Sequence, residues 1–326
     1  MTINKDANQK THIQILRGFA IIAVVLIHNT PQGLSQVYIR PFLNFAVGLF
    51  LFLSGLLSDV KKWNPQKRIA KVIIPYIIWT FIYTAGKNIS NPVAIPTTFF
   101  KNLITSQSAA MMYYIFVYCE FTLLIPLVDK LAKSKYKYLG FIISPIEIIF
   151  MRSIPLMTDW YRMNEYIDII KSVSCLGWFT YFYLGYLMGN DLIAVSKSRK
   201  KWGALFVISL LLQVAEGYLR YSKGIASCGS QLKLSSILTG TCFVIFAYQF
   251  INSGKSYNNH MLKFLGDISF GIYFSHIAVM EILSAVPLYS QIVIYPLNAV
   301  VVIIVNVFLI FVGKKLLGKY SKYLAL

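Results

Sequence analysis

Charged residues are scarce in this sequence, and acidic residues are the scarcest. Only 13% of the 326 residues are charged, and just 12 residues are Asp or Glu. Soluble domains carry about 25% charged residues, so this chain has too little polar surface to cover a water-soluble globule. The shortage excludes an ordinary soluble domain.

Cysteine and histidine are also rare, with four of each. The cysteines form no C-x-x-C pair, and three lie in apolar stretches, where a thiol packs as a small apolar side chain. We expect no metal site, because His12 and His260 lie away from His28 along the predicted topology. The sequence also lacks an internal repeat of the kind that transporter halves often show.

Apolar residues make up 57% of the chain, and the mean hydropathy is +0.61. Ten apolar runs lie at 13–29, 40–58, 70–86, 111–129, 138–152, 172–189, 202–219, 233–251, 262–285 and 291–313. A spanning helix needs about 20 apolar residues, and lipid offers no partner to an unpaired backbone amide. The sequence therefore predicts an all-α polytopic membrane protein with about ten transmembrane helices, forming a single membrane domain over residues 1–326.

The net charge of +19 invites comparison with nucleic-acid-binding proteins, but the positions of the basic residues indicate a different role. With the N-terminus inside, predicted inner segments hold 21 of the 31 Lys and Arg residues, outer segments hold nine, and Arg17 lies within the first run. This asymmetry follows the positive-inside rule and predicts cytoplasmic N- and C-termini. The expected partner is the lipid bilayer rather than nucleic acid. Predicted outer loops at 87–110, 153–171 and 220–232 are long enough to fold over a site.

The first apolar run carries two ionisable residues, Arg17 and His28, eleven positions apart. On a helix this spacing is within about 20° of three full turns, so both face one side about 16 Å apart along the axis. An ionisable group inside the membrane is costly and usually faces a cavity or a partner. Histidine is a common general base near neutral pH, and arginine binds anions. The alternative is that both are end residues that reach the interface.

The ninth run carries Ser269, Tyr273 and His276, which share one helix face. Polar groups at bilayer depth are expected to line an interior, either as a substrate pocket or as packing contacts. Glu216 and Glu281 are predicted near the outer level of His28. Either carboxylate is a candidate to orient its imidazole.

Five basic residues cluster between positions 61 and 71 and include Arg68 and Lys71. Their first role is orientation in the membrane. A second candidate role is the binding of a phosphorylated ligand. The residues alone do not favour one of these two roles over the other.

Four motifs in order resemble the acyltransferase-3 family of bacterial membrane O-acyltransferases. Residues 16–28 (LRGFAIIAVVLIH) are similar to its R-x10-H signature, and residues 48–55 (GLFLFLSG) to its second-helix element. Residues 68–76 resemble its basic R-x-x-R segment, with lysine replacing the last arginine, and residues 266–276 (GDISFGIYFSH) its late S-Y-G-I-Y-L-x-H element. Near Tyr113 the chain follows a further family helix, although tryptophan is usual at that position. The resemblance covers nearly the whole chain.

The resemblance implies an activity and assigns residues to it. An acyl-CoA, usually acetyl-CoA, would be used from the cytoplasmic side to acylate a hydroxyl of an extracytoplasmic or lipid-linked glycan. His28 would be the catalytic histidine, as base or in acyl relay, and Arg17 the essential arginine of the same signature. Arg68 and Lys71 would contact the CoA phosphates, with lysine acting only as a point charge.

The leading hypothesis is therefore a multi-pass O-acyltransferase of the bacterial plasma membrane that modifies a glycan. The main alternative is a transporter or exporter of a polysaccharide or lipid-linked precursor. A non-catalytic membrane scaffold would leave Arg17, His28 and His276 without a role. The identity of the acceptor and acyl group, and the oligomeric state, stay open.

Overall fold

The computed structural model of the protein describes residues 2–153, 170–171, 173–251, 259–290 and 294–326, and within these ranges it contains helices and no strands. The α-helices are α1 (Thr2–Asn29), α2 (Leu34–Ile39), α3 (Phe45–Leu56), α4 (Pro65–Lys87), α5 (Ile95–Thr105), α6 (Tyr113–Lys133), α7 (Ile143–Glu147), α8 (Phe179–Gly189), α9 (Arg199–Ser222), α10 (Leu234–Ile251), α11 (His260–Asp267), α12 (Ser269–Ser284), α13 (Pro287–Ser290) and α14 (Leu297–Leu317). Short 3-10 turns connect several of them, including Arg40–Phe42 and Ala226–Gly229.

Six helical segments of the described chain are long and apolar enough, by length and composition, to cross a membrane. They are Asn8–Asn29, Leu34–Leu56, Pro65–Lys87, Arg199–Ser222, Ser227–Ile251 and Leu297–Leu324. Large apolar side chains on these segments point outward: Leu211 is 68% exposed and Phe311 is 70% exposed. Exposed large apolar side chains on long apolar helices are typical of lipid contact. The protein is a helical membrane protein, and ten spans stays a prediction.

Several predicted runs are helical but interrupted. The run at 138–152 consists of a 3-10 turn (Lys137–Ile142), the short α7 and a π-helical segment (Ile148–Ser153). The run at 262–285 divides at Ile268 into α11 and α12. Of the predicted outer loops, 87–110 contains α5, and most of 153–171 lies outside the described residues.

The described helices form two compact units, each assembled from segments that alternate along the chain. Unit 1 comprises Met1–Trp63, Ile125–Met163 and Leu176–Asp267, and unit 2 comprises Asn64–Leu124, Asn164–Cys175 and Ile268–Leu326. Because the segments interleave, neither unit is a separate stretch of sequence.

In unit 1, α1 packs against α11 at backbone distance. A Cβ atom at Gly18 would collide with the carbonyl oxygen of Leu262, and one at Gly266 with the carbonyl oxygen of Gln14. Small residues at such crossings let membrane helices approach closely and gain dispersion contact. The two glycines therefore hold the α1 segment that carries Arg17 in contact with α11.

A second close crossing in unit 1 joins α3 and α8. Gly55 and Gly185 each face the opposite backbone, at Phe182 and Phe52 respectively. The tyrosines of α8 are buried with hydroxyl partners; for example, the hydroxyl of Tyr186 donates to Asp129 at 2.6 Å. The crossing explains why glycine occupies position 55, at the end of the 48–55 motif.

Unit 2 packs α12 against α14 and against α4. The buried hydroxyl of Ser275 donates to Asn306 Oδ1 at 2.5 Å, linking α12 to α14. Trp79 of α4 donates to the carbonyl of Leu324 at 3.0 Å, so the C-terminal turn is held against α4. These contacts fix α12, which carries three predicted site residues.

Candidate active site

Helix α1 presents Arg17 and His28 on one unbroken helix. Residues 2–29 are helical throughout, so the eleven-residue spacing keeps both side chains on one face, about 16 Å apart along the axis. Both side chains are half-buried. Arg17 donates to Gln14 Oε1 at 3.4 Å, and no carboxylate of the described residues lies within 4 Å of it. The arginine therefore retains donors for an anion.

A cavity of 340 Å³ opens beside the N-terminal half of α1, within unit 1. Its lining is mainly apolar and includes Leu16, Phe19 and Leu262, with His12 and Asn259 as its polar members. His12 is buried. The cavity lies along the α1–α11 crossing, next to Arg17 in sequence, and its size suits a flexible apolar group.

Arg68 and Lys71 lie on the first turns of α4 in unit 2, three residues apart and therefore on one face. Lys71 is exposed and Arg68 is half-buried. Asn64 caps this helix by accepting a hydrogen bond from the backbone of Lys67 at 3.0 Å. Cations at a capped helix N-terminus, where the helix dipole is also positive, suit a phosphate group.

Ser269, Tyr273 and His276 are buried on α12, as an interior-lining stripe requires. Tyr273 donates its hydroxyl hydrogen to the carbonyl of Met111. His276 is fully buried, and its Nδ1 donates to the carbonyl of Ile272 at 2.9 Å. This bond places the proton of a neutral imidazole on Nδ1, so Nε2 is its basic nitrogen.

Tyr83 is a further residue of this region that the sequence did not indicate. Its hydroxyl donates to the carbonyl of Phe274 at 2.7 Å and accepts from the backbone N–H of Ala278 at 3.0 Å. These two backbone groups are four residues apart, so the hydroxyl sits inside one hydrogen bond of the α12 ladder, around His276. Tyrosine in an apolar helix gives no sequence signal for such a role.

The two carboxylates proposed to orient His28 have other partners. Glu216 forms an ion pair with Arg220 at 2.7 Å and accepts hydrogen bonds from both the backbone N–H and the hydroxyl of Ser235. In the part of the chain that the structure describes, its polar partners do not include His28. Glu281 of unit 2 pairs with Lys87 at 3.7 Å, and both side chains are exposed.

The predicted site residues therefore divide by unit. Arg17, His28 and Glu216 belong to unit 1, and Arg68, Lys71, Ser269, Tyr273, His276 and Glu281 belong to unit 2. Within the described residues no three His, Cys, Asp or Glu side chains group as metal ligands would.

An apolar helical protein with an arginine and a histidine on one spanning helix defines a class: membrane proteins with an intramembrane polar site. The model of the acyltransferase-3 family, described as an acyltransferase domain, matches residues 11–314. The chain belongs to this family, and membership supports an acyltransferase activity in a multi-pass membrane protein.

Two curated relatives come from Staphylococcus aureus, strains MRSA252 and MSSA476. Each is named a probable poly-beta-1,6-N-acetyl-D-glucosamine export protein and is 22% identical to this chain over 280 residues, which is 80% of this chain and 77% of the relative. No solved structure matches the chain significantly.

Proposed function

We propose that the protein is an O-acyltransferase of the bacterial plasma membrane, with ten spans and cytoplasmic termini. It would transfer an acyl group from cytoplasmic acyl-CoA to a hydroxyl of an extracytoplasmic or lipid-linked glycan. Acetyl is the leading candidate for this acyl group. The observation that carries the proposal is the pair Arg17 and His28 on α1, in a chain that matches the family over residues 11–314.

His28 is the proposed base. Its imidazole takes the proton of the acceptor hydroxyl, the hydroxyl oxygen forms an ester bond to the acyl carbon, and the thioester C–S bond breaks. The thiolate of the released CoA then takes up a proton. A base placed in this way typically contributes about 10²–10⁴-fold to the rate. A variant of the mechanism carries the acyl group in relay through His28.

The donor side of the proposal rests on three features of the chain. Arg17 has donors available for an anion, and the 340 Å³ cavity beside α1 has room for an apolar arm. Arg68 and Lys71 lie at a positive helix terminus that fits a phosphate group, although Lys71 cannot form a bidentate contact with it.

The test is acyl transfer in sealed membrane vesicles that are supplied with labelled acetyl-CoA on the cytoplasmic face. His28→Ala should lower label in glycan or lipid-linked sugar by about 10²–10⁴-fold, with the protein still present in the membrane. The matched control is His260→Ala, since His260 is an exposed histidine at the start of α11 and is not assigned to the site. Transfer by His28→Ala at the level of this control would remove His28 from the mechanism.

The second candidate function is polysaccharide export, because the Staphylococcus aureus relatives carry that name. An exporter would move glycan across the vesicle membrane without acyl-CoA, and this transport would not require the formation of acylated product. Wild-type vesicles that transport glycan but transfer no label from acetyl-CoA or succinyl-CoA would favour this function.

A further inference from the structure

A small cavity of 220 Å³ with a mixed lining, more apolar than polar, lies at the C-terminal side of α1, within unit 1. Its polar lining comes from Gln32, Gln36, Tyr221 and Cys228. Gln36 lies on α2 and Tyr221 on the last turn of α9, and both regions are predicted to be at the outer side of the membrane. The volume is below the roughly 300–1,000 Å³ typical of pockets for whole drug-sized ligands, so this cavity has room for one small group of a larger molecule.

Two cations without a carboxylate partner flank the wall of this cavity. Lys233 is 1% exposed, and its ammonium group donates to the carbonyl oxygen of Cys228 at 2.7 Å and contacts that of Gln213 at 3.5 Å. Both acceptors are neutral, and no described carboxylate oxygen lies within 4 Å of the Lys233 nitrogen. A buried ammonium group normally requires a counter-charge.

Arg40 is the second cation. Its side chain lies with that of Gln36 over Gly229, the residue after Cys228, where a Cβ atom would meet Arg40 Cδ at 2.7 Å. The guanidinium donates only to the carbonyl of Ile27, at 3.4 Å, and its buried Nε has no hydrogen-bond partner among the described residues. Ile27 directly precedes His28, so Arg40 is next to the C-terminal end of the α1 stripe.

The neighbouring acidic group, Glu216, attracts the Lys233 ammonium group from beyond ion-pair distance, but its own ion pair is with Arg220. Glu216 is engaged by Arg220 and by Ser235, so its charge is already balanced. Arg220 also contacts Ser153 at 3.4 Å, next to the ion pair of Arg152 with Glu147, which adds no net charge. In a region of low dielectric constant, the remaining two positive charges are a strong attraction for a doubly charged anion.

We propose that the cavity, with Arg40 and Lys233, is a subsite for a phosphate or diphosphate group next to His28. Arg40 would turn its guanidinium toward the anion and bind two oxygens, while Lys233 would supply positive charge from behind the wall. This inference deepens the proposed function, on which it rests: the acceptor hydroxyl would be positioned by a phosphoryl group on the acceptor or on its lipid carrier. A membrane phospholipid headgroup is the other source of the same chemistry.

The test measures binding, which does not require acyl transfer. Full-length protein in phosphatidylcholine nanodiscs would be titrated with inorganic pyrophosphate by calorimetry, for wild type, Arg40→Gln and Lys233→Met. We expect saturable binding to wild type, weakened about tenfold in Arg40→Gln and to a lesser degree in Lys233→Met. The matched control, Lys223→Gln, removes an exposed charge from the same loop region and should leave binding unchanged.

Absence of saturable binding in wild type, or equal weakening in Lys223→Gln, would overturn the subsite. A repeat in nanodiscs that contain phosphatidylglycerol distinguishes the two sources: competition supports a site that takes lipid headgroups, and undiminished binding supports a site for the acceptor or its carrier. Pyrophosphate binding that depends on Arg40, in a protein that transfers no acyl label, would support the subsite and refute the proposed acyl transfer.

Discussion

At the residue scale, the chemistry of this protein depends on polar groups placed inside apolar helices. Each such group is expensive unless it is hydrogen-bonded or faces a ligand. Glu216 and Tyr83 have partners on other helices, whereas Arg17 and Arg40 keep donors that the described residues do not use. That contrast separates polar residues that hold the helices together from those available to substrates.

Tyr83 belongs to the first group, and its removal has a predictable cost. Tyr83→Phe leaves the Phe274 carbonyl and the Ala278 N–H without their shared partner, in a site where Tyr83 is 3% exposed. We expect a loss of about 1–3 kcal/mol in the free energy of unfolding. The measurement is thermal unfolding in detergent, with Tyr38→Phe as the control because the side chain of Tyr38 is 49% exposed. Equal stability of the two variants would contradict this prediction. It would mean that the Phe274 carbonyl and the Ala278 N–H bond directly to each other once the hydroxyl is gone.

At the element scale, glycines decide which helices meet. The α1–α11 and α3–α8 crossings both bring backbone against backbone. Three of the glycines concerned, Gly18, Gly55 and Gly266, lie in the family motifs, whereas Gly185 does not. The motif residues 48–55 and 266–276 therefore carry packing information as well as chemistry.

Gly18→Ala and Gly266→Ala should each destabilise the protein. The new methyl group would overlap a main-chain carbonyl of the opposite helix, which cannot move aside as a flexible side chain would. Overpacking of this kind costs about 1–3 kcal/mol. The control is Gly86→Ala on α4, where a Cβ atom meets nothing within 4 Å and the exchange favours the helix. The measurement is the unfolding midpoint in detergent. Equal midpoints for all three variants would contradict the close crossing.

At the scale of the whole molecule, the distribution of basic residues predicts the orientation in the membrane. Ten spans with cytoplasmic termini put Lys197 inside and Lys223 outside. We therefore expect Lys223→Cys, and not Lys197→Cys, to react with an impermeant thiol reagent in intact cells. Both positions are exposed, so the side of the membrane on which each thiol lies determines whether it is labelled. The reverse pattern would require a different orientation, and labelling of both or neither would require a different number of spans between them.

Much of this protein follows from composition and motif order alone. The apolar content dictates a helical membrane protein, because lipid satisfies no backbone hydrogen bonds. The spacing of Arg17 and His28 places them on one face of any continuous helix, and the four ordered motifs indicate the acyltransferase-3 family that residues 11–314 match.

Only the tertiary structure decided which polar groups became partners. It paired Glu216 with Arg220 and Ser235 and inserted the Tyr83 hydroxyl into α12. Among the described residues, it left Arg40 and Lys233 without a carboxylate at ion-pair distance beside the small cavity. Hydrogen bonds act over about 3 Å, and residues as distant in sequence as Tyr83 and Ala278 meet only after the helices have packed. Helix identity follows from a local pattern, whereas a polar site requires the three-dimensional arrangement of several helices.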